Sequence, residues 1–388
     1  MASYVELGPR NGKPRIKITV ELGYDKYGRR QRKYKTVTLN SMTDRAIKKA
    51  ISDFEIEVAT SADENEIEFM TVEMFFEKWM EMYVKPQLSI SSRDAYYSYF
   101  NNGILDTLGK MQMTEIKTFH LVEFFRDQQS SGKKSLEGKH SSLSGFFRTA
   151  QKWGIIEDNP MVGVDCPVGG KRYKELDFYD EEQLKELLKV LDKVYLNHAI
   201  MIKLAALVGL RMAEIAGIRM ESINYKDNTI LIDKQLLYDK ETSKFKLGPT
   251  KTKKPRTVSV PQSLMKDIKQ FEIAQKKLKI ALGDEWTPLI DANGKPVNLL
   301  ITKPNGFPAH PRGMSNRFKE ILERFNLPTL NFHGLRHTYA SYALSQGVNF
   351  KVIQEQLGHA NIQETMNTYS HITMLDKKEA SDIFNHFL

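Results

Sequence analysis

The chain has 388 residues, 41% hydrophobic and 27% charged, a balance that fits a globular protein of about two to three domains and excludes a disordered or fibrous one. Its one cysteine, Cys166, excludes an intrachain disulfide and suits a reducing compartment. The formal net charge of +9 admits an anionic partner, and its distribution is more informative than its total.

Residues 1–40 hold ten Lys/Arg against three Asp/Glu, residues 53–81 hold ten acidic residues and one lysine, and residues 244–256 hold six basic residues and no acid. Segregated charge is expected where particular surfaces meet phosphates; a solvated basic surface is the plainer alternative. The opening "MASYVELGPRNGK" has no apolar core of a secretory signal. The longest apolar run, "HAIMIKLAALVGL", is interrupted by Lys203 and is too short to span a bilayer, so no membrane role is expected.

The first 60 residues read as a small β-plus-α module. In "KPRIKITVELG", Ile16, Ile18, Val20 and Leu22 alternate with polar residues, the period of a half-buried strand. "YDKYGRR" gives a turn at Gly28, and "QRKYKTVTL" a second, basic strand. Ile47, Ile51, Phe54 and Val58 then recur at the spacing of an amphipathic helix. A basic sheet face backed by a helix suits a DNA groove, with Arg29, Arg30, Arg32 and Lys33 as the candidate contacts. The acidic "TSADENEIEF" has the composition of a linker.

Residues 70–165 read as almost wholly helical. Phe75, Phe76, Trp79 and Tyr83 share one face, and at that spacing core packing is favoured over a base-stacking platform. The Pro- and Gly-rich "EDNPMVGVDCPVGGKRYKEL" marks the next boundary. From residue 177 the pattern gives an amphipathic helix, "DEEQLKELLKVLDKV", and a second helix over "HAIMIKLAALVGLRMAEIAGI". Short strands "TILID" and "RTVSV" follow, with the basic hairpin "KFKLGPTKTKKPR" between or beside them, and helices run to the end. The expected architecture is multidomain, mainly α with small β-sheets, divided as 1–62, 70–165 and 177–388.

Four clusters carry the chemistry. Arg211 and Glu214 are three apart and so share a helix face; they are either a structural ion pair or an oriented anion-binding arginine. In "NFHGLRHTYAS", His333 and Arg336 sit one turn apart near a helix N-terminus, where anions are favoured. His337 points elsewhere and reads as structural. The i,i+4 pair His333 and His337 lacks the Glu and the nearby carboxylate of a zinc motif, so no metal is expected. "NFKVIQEQLG" is a helix capped by Asn349 and stopped by Gly358, which exposes His359; Asn361 and Glu364 have the spacing of a capping box, and Tyr369 lies near the end of that helix. A tyrosine beside fixed cations can attack phosphorus. Lys251 can protonate a leaving alkoxide, with Lys253 and Lys254 as rivals that would contact backbone phosphates instead.

Taken in order, "GLRMAEIAGI", "TKTKKPRTVSVP", "HGLRHTYAS" and "LGHANIQETMNTYSHI" resemble the boxes of the tyrosine recombinase family, in particular phage and conjugative-transposon integrases. Residues 70–165 resemble that family's helical core-binding domain, and the first 60 residues, more loosely, its arm-binding domain of a three-stranded sheet plus helix. The resemblance implies a site-specific recombinase with Arg211, Lys251, His333, Arg336, His359 and the nucleophile Tyr369 as catalytic residues and Glu214 in support. It also implies a 3′-phosphotyrosyl intermediate without ATP or metal cofactor, and a homotetramer on double-stranded attachment sites resolving a Holliday junction. An excisionase or host DNA-bending protein would assist, in the cytoplasm and nucleoid of a bacterial host.

Two alternatives share parts of this pattern. A type IB topoisomerase or telomere resolvase has the same chemistry, but the separate basic N-terminal module argues against it. A non-catalytic DNA-binding regulator is opposed by the intact polar set. The tail "DKKEASDIFNHFL" places Ala380, Ile383, Phe384 and Phe387 on one narrow apolar face; docking on its own domain is the plainer alternative, and the resemblance implies docking on a neighbouring protomer.

Overall fold

The alternating isoleucines of the N-terminal segment form the middle strand of a sheet in the computed structural model, which describes residues 2–10, 12–24, 30–132, 135–167 and 178–358. The Gly28 turn, Arg29, His359, the Asn361–Glu364 box, Tyr369 and the tail from Asp376 lie outside the described residues. The chain divides into two units, residues 1–170 and residues 171–388.

In the first unit, β1 (Ala2–Arg10), β2 (Lys13–Tyr24) and β3 (Arg30–Thr38) pair antiparallel in the order β1-β2-β3. Ile16, Ile18 and Val20 face inward from β2 and pack with Ile47 and Phe54 of α1 (Asp44–Glu68), forming a small core separate from the next one. Burying each of these side chains contributes about 1.5–3 kcal/mol. The helix α1 continues through the stretch expected to be a linker. "SADENEIE" contains neither Gly nor Pro and holds three Glu and one Ala, all good helix formers, so helix propensity outweighs its acidic, linker-like composition.

A helical bundle follows. Thr71 caps α2 (Val72–Trp79) by accepting the Met74 amide at 3.2 Å. The helix passes through a π-helical turn into α3 (Lys85–Gln87); α4 (Ile90–Tyr99) is separated from α5 (Leu105–Leu108) by a kink at Asn102 and Gly103, where the backbone leaves the helical region. α6 (Thr118–Ser130) and α7 (Leu136–Lys152) come next. The aromatic face is core as expected: Phe76 stacks on Phe100 at 4.3 Å, and Trp79, fully buried, meets Phe146 edge-on at 5.4 Å.

The second unit opens with α8 (Glu181–Leu191), started by a reciprocal cap between Asp180 and Gln183. Next comes α9 (Leu196–Val208), apolar on nearly all sides and correspondingly buried. The single helix expected across residues 198–218 is broken. Gly209 takes a left-handed conformation (φ +76°) that closes α9, Arg211 is extended, and α10 (Met212–Ala216) starts afresh.

Strands β4 (Ile223–Asn224), β5 (Thr229–Ile232) and β8 (Arg256–Ser259) form one antiparallel sheet, while β6 (Lys234–Asp239) and β7 (Lys244–Pro249) form a hairpin inserted between β5 and β8. After α11 (Gln262–Leu282), β9 (Leu289–Ile290) and β10 (Pro296–Val297) pair, and α12 (Pro311–Arg324), α13 (Phe332–Ser345) and α14 (Phe350–Leu357) complete the described chain. Asn331 and Asn349 cap α13 and α14, accepting the Gly334 amide at 2.9 Å and the Lys351 amide at 2.7 Å; Gly358 ends α14 at φ +68°.

Candidate active site

The break at Gly209 decides where Arg211 goes. Arg211 stands just before α10 rather than on a shared helix face, and Glu214 reaches back to it. Glu214 accepts the Arg211 backbone N–H at 3.1 Å and its Nη1 at 2.9 Å. The carboxylate is 1% exposed, so it requires matched partners. Its second partner is Arg256, which opens β8 and forms a two-pronged pair with it (Nη1–Oε1 3.0 Å, Nη2–Oε2 2.7 Å). Burial pushes the Glu214 pKa up, but Arg256, through hydrogen bonds and charge, and Arg211 outweigh it and hold the carboxyl below its ordinary value.

Both arginines also reach the end of α14. Arg256 Nε donates to the Gln356 carbonyl at 3.0 Å, and Arg211 donates to the carbonyls of Leu357 and Gly358, both at 3.3 Å. These are the last carbonyls of a helix, which lack intrahelical donors and lie at the negative end of its dipole.

Arg336, on the first turns of α13, is 2% exposed and donates Nη1 to the Gly209 carbonyl at 2.8 Å. His333 is exposed and lies one turn before it. Desolvation, then the charges of Arg336, Arg211 and Lys251, lower the His333 pKa below its ordinary value. Residues from three separate elements therefore act on one imidazole. His337 meets His333 edge-on at 4.8 Å, and desolvation, His333 and Arg336 bring its pKa down to about 4. The His337 ring is consequently neutral at neutral pH, and the same influences favour the neutral form of His333. Among the described residues no group of three or more His, Cys, Asp or Glu stands together as a metal site.

Lys251 occupies a turn between β7 and β8, closed by Lys253 N–H donating to the Thr250 carbonyl at 2.9 Å, rather than a position within the hairpin itself. Lys253 and Lys254 share that turn and are exposed, and neither is among the charges that shift His333.

The candidate DNA contacts of the N-terminal sheet are split between its faces. Strand pairing sets Arg32 opposite Glu21, with an ion pair at 3.3 Å, and Lys33 opposite the buried Val20. Arg32 therefore belongs to the face away from α1, with Arg15, Lys17 and Tyr34; Lys17 lies over the Tyr34 ring at 4.6 Å. Lys33 and Lys35 belong to the helix side, where Lys35 pairs with Glu57. Arg30 opens β3 opposite Tyr24.

Two participants escaped the sequence reading, Arg256 and Gln356. A signal for Arg256 exists: it is in phase with Val258 and Val260, both buried, so the period of two turns its side chain inward, where an arginine needs an anion.

Residues 177–375 match the model of the phage integrase family, and residues 71–127 match that of the phage integrase N-terminal SAM-like domain. A XerC-like tyrosine recombinase of Caldanaerobacter subterraneus is 25% identical over 396 residues, covering 97% of both chains. The ICEBs1 integrase of Bacillus subtilis is 25% identical over 77% of this chain and 80% of its own. Among solved structures, the Tn1549 transposon integrase in complex with transposon right end DNA superimposes with a TM-score of 0.68 at 21% identity, over 81% of this chain and all of that one. A lambda integrase tetramer bound to a Holliday junction gives 0.53 at 16% identity, over 92% of this chain and 96% of that one. The likeness to these two structures is one of fold. With the family model matched over more than half of its length, the chain belongs to the phage integrase family and is a tyrosine recombinase.

Proposed function

We propose that this recombinase integrates and excises a mobile element by cutting and rejoining DNA through Tyr369. The observation that carries the reading is the anchoring of two arginines beside one another: Arg336 donates to the Gly209 carbonyl at 2.8 Å, two residues before Arg211, which Glu214 holds by its backbone N–H and its Nη1. The charges of Arg336, Arg211 and Lys251 all act to lower the His333 pKa, and the buried carboxylate of Glu214 is held by Arg211 and Arg256.

In this scheme Arg211 and Arg336 grip the non-bridging oxygens of the scissile phosphate and stabilise the added charge of the five-coordinate transition state. The Tyr369 oxygen attacks phosphorus, and the bond to the 5′ oxygen breaks. Lys251 gives that oxygen a proton and leaves a 5′-hydroxyl; His333 takes the tyrosine proton, for which its neutral form is suited. His359 donates to the phosphate. A 5′-hydroxyl from the partner strand reverses the steps. The phosphodiester bond energy stays in the phosphotyrosine, so neither ATP nor a metal is called for.

Residues 1–62 are proposed to bind arm-type sites, 70–165 to clamp the core site together with 177–388, which carries the chemistry. Support comes from the separate core of the first sheet and the SAM-like match. Four copies would assemble on two attachment sites, as the tetrameric lambda enzyme does on its junction. An excisionase or a host DNA-bending protein would set direction. Among the described residues no helix is long and apolar enough to cross a membrane; action on DNA in the bacterial cytoplasm and nucleoid follows from the substrate.

The test pairs two plasmid-borne copies of the sequence repeated at the element's ends. Recombination that needs both copies and survives excess EDTA supports the reading. Relaxation of supercoils by a plasmid with one copy, without exchange, would point to a topoisomerase, and loss in EDTA restored by Mg²⁺ would revive a metal role for His333 and His337.

A further inference from the structure

Arg256 has no part in the scheme above, yet its guanidinium is the piece that joins two halves of the site. Its Nη atoms take both oxygens of the buried Glu214, the carboxylate that orients Arg211, and its Nε holds the Gln356 carbonyl at 3.0 Å. The guanidinium also lies flat against Gly358: a Cβ added there would stand 2.7 Å from Nη1 and 2.8 Å from Cζ. The side chain of Gln356 reinforces the same junction, accepting the Ser259 amide at 3.3 Å and donating to the Ser259 carbonyl at 3.0 Å on β8. The last turn of α14 is thus fastened to both ends of β8, at Arg256 and at Ser259, and to Arg211.

We propose that Arg256 is a positioning residue for DNA cleavage: it fixes Arg211 through Glu214, and through the Gln356 carbonyl and Gly358 it fixes the point from which the chain proceeds to His359 and Tyr369. Tyr369 follows Gly358 by eleven residues, so the place at which the chain is anchored at Gly358 bounds how far the nucleophile can reach. The inference rests on the assignment of Tyr369 and Arg211 given above. A planar fork is required for this double duty. Lysine at this position could neutralise Glu214, but it offers no second arm for the Gln356 carbonyl and no flat surface for Gly358.

The test uses the full chain with Arg256→Lys and Arg256→Gln. The substrate is a nicked duplex spanning the crossover sequence, taken from the ends of the element. Three quantities are read: affinity for the duplex, single-turnover cleavage at saturating protein, and hydrogen exchange of peptides from residues 350–358 in the free protein. The expected result for both variants is affinity within about twofold of the parent, cleavage slowed by about tenfold or more, and faster exchange in 350–358 with α9 peptides unchanged. If the action runs through Glu214, the double variant Glu214→Gln/Arg256→Gln cleaves no more slowly than the slower single variant. Parental cleavage rates in both variants, or a loss of rate that merely tracks a loss of affinity, would overturn the proposal. The exchange arm is independent of catalysis: unchanged exchange across 350–358 would overturn the hold on α14 even if the parent protein cleaved nothing. Absence of cleavage by the parent would instead count against the assignment of Tyr369.

Discussion

Arg336 donates an Nη1 hydrogen to the carbonyl of Gly209 at 2.8 Å, so a single guanidinium ties the first turns of α13 to the end of α9. Gly209 is suited to that place for two reasons. Its φ of +76° is left-handed, and a Cβ there would stand 2.6 Å from both the Leu357 and Tyr339 side chains. Gly209→Ala is expected to destabilise the catalytic unit by about 1–3 kcal/mol, read from the midpoint of urea unfolding. An unchanged midpoint would mean that the turn is not constrained as described.

The two histidines of α13 set a pH dependence. Both have pKa values below that of an unfolded histidine, His337 at about 4. Above an ordinary histidine pKa of about 6.5 neither state binds the proton and the pair contributes no slope. As pH falls below that value the unfolded chain is protonated first, so stability declines until the folded-state pKa is reached, by at most about 1.4 kcal/mol per pH unit for His337 and by less for the solvent-screened His333. Urea titrations between pH 7.5 and 5 should show this decline, and His337→Gln should flatten it. A slope unaltered by that substitution would assign the acid sensitivity elsewhere.

Lys251 is separated from its neighbours by what each substitution should do. Lys251→Ala is expected to slow cleavage by about 10²- to 10⁴-fold, the range of a lost general acid. A substrate whose 5′ bridging oxygen is replaced by sulfur, a better leaving group, should restore most of the rate. Lys253→Ala and Lys254→Ala should weaken DNA binding and reduce its salt dependence by about one unit each, with little effect on cleavage at saturation. Rescue by sulfur in the Lys253 or Lys254 variant, and not in the Lys251 variant, would reassign the acid.

The split of the N-terminal sheet makes a similar contrast. Lys17→Ala and Arg32→Ala, on the face away from α1, should lower affinity for a long attachment-site duplex and its salt slope by about one each. Lys35→Ala should leave that affinity alone and shift stability by no more than about 1 kcal/mol, because Lys35 is engaged by Glu57 at the surface. Equal losses of affinity from all three would mean that DNA does not select one face.

Much of this was legible in the sequence because period and spacing are local. Ile16, Ile18 and Val20 declared their strand, Trp79 and its neighbours declared a core face, and Asn349 and Gly358 bounded their helix. The break at Gly209 was hidden inside an apolar run that continues a helical pattern on both sides. The helix through residues 60–68 was hidden by its acidity, which is a feature of linkers and of solvated helices alike. Arg256 was obscured by five other basic residues between 244 and 256; its role depends on Glu214 and Gln356, 42 and 100 residues away, which no local pattern reports.

The most direct measurement is the covalent adduct itself. The full chain is incubated with a nicked duplex spanning the crossover sequence, so that the cleaved strand end diffuses away, and the trapped complex is digested and sequenced by mass spectrometry. The expected result is a 3′-phosphodeoxynucleotide on Tyr369, and no adduct from Tyr369→Phe although that variant binds the duplex as the parent does. A normal adduct yield from Tyr369→Phe, or a phosphate found on another side chain, would contradict the central claim.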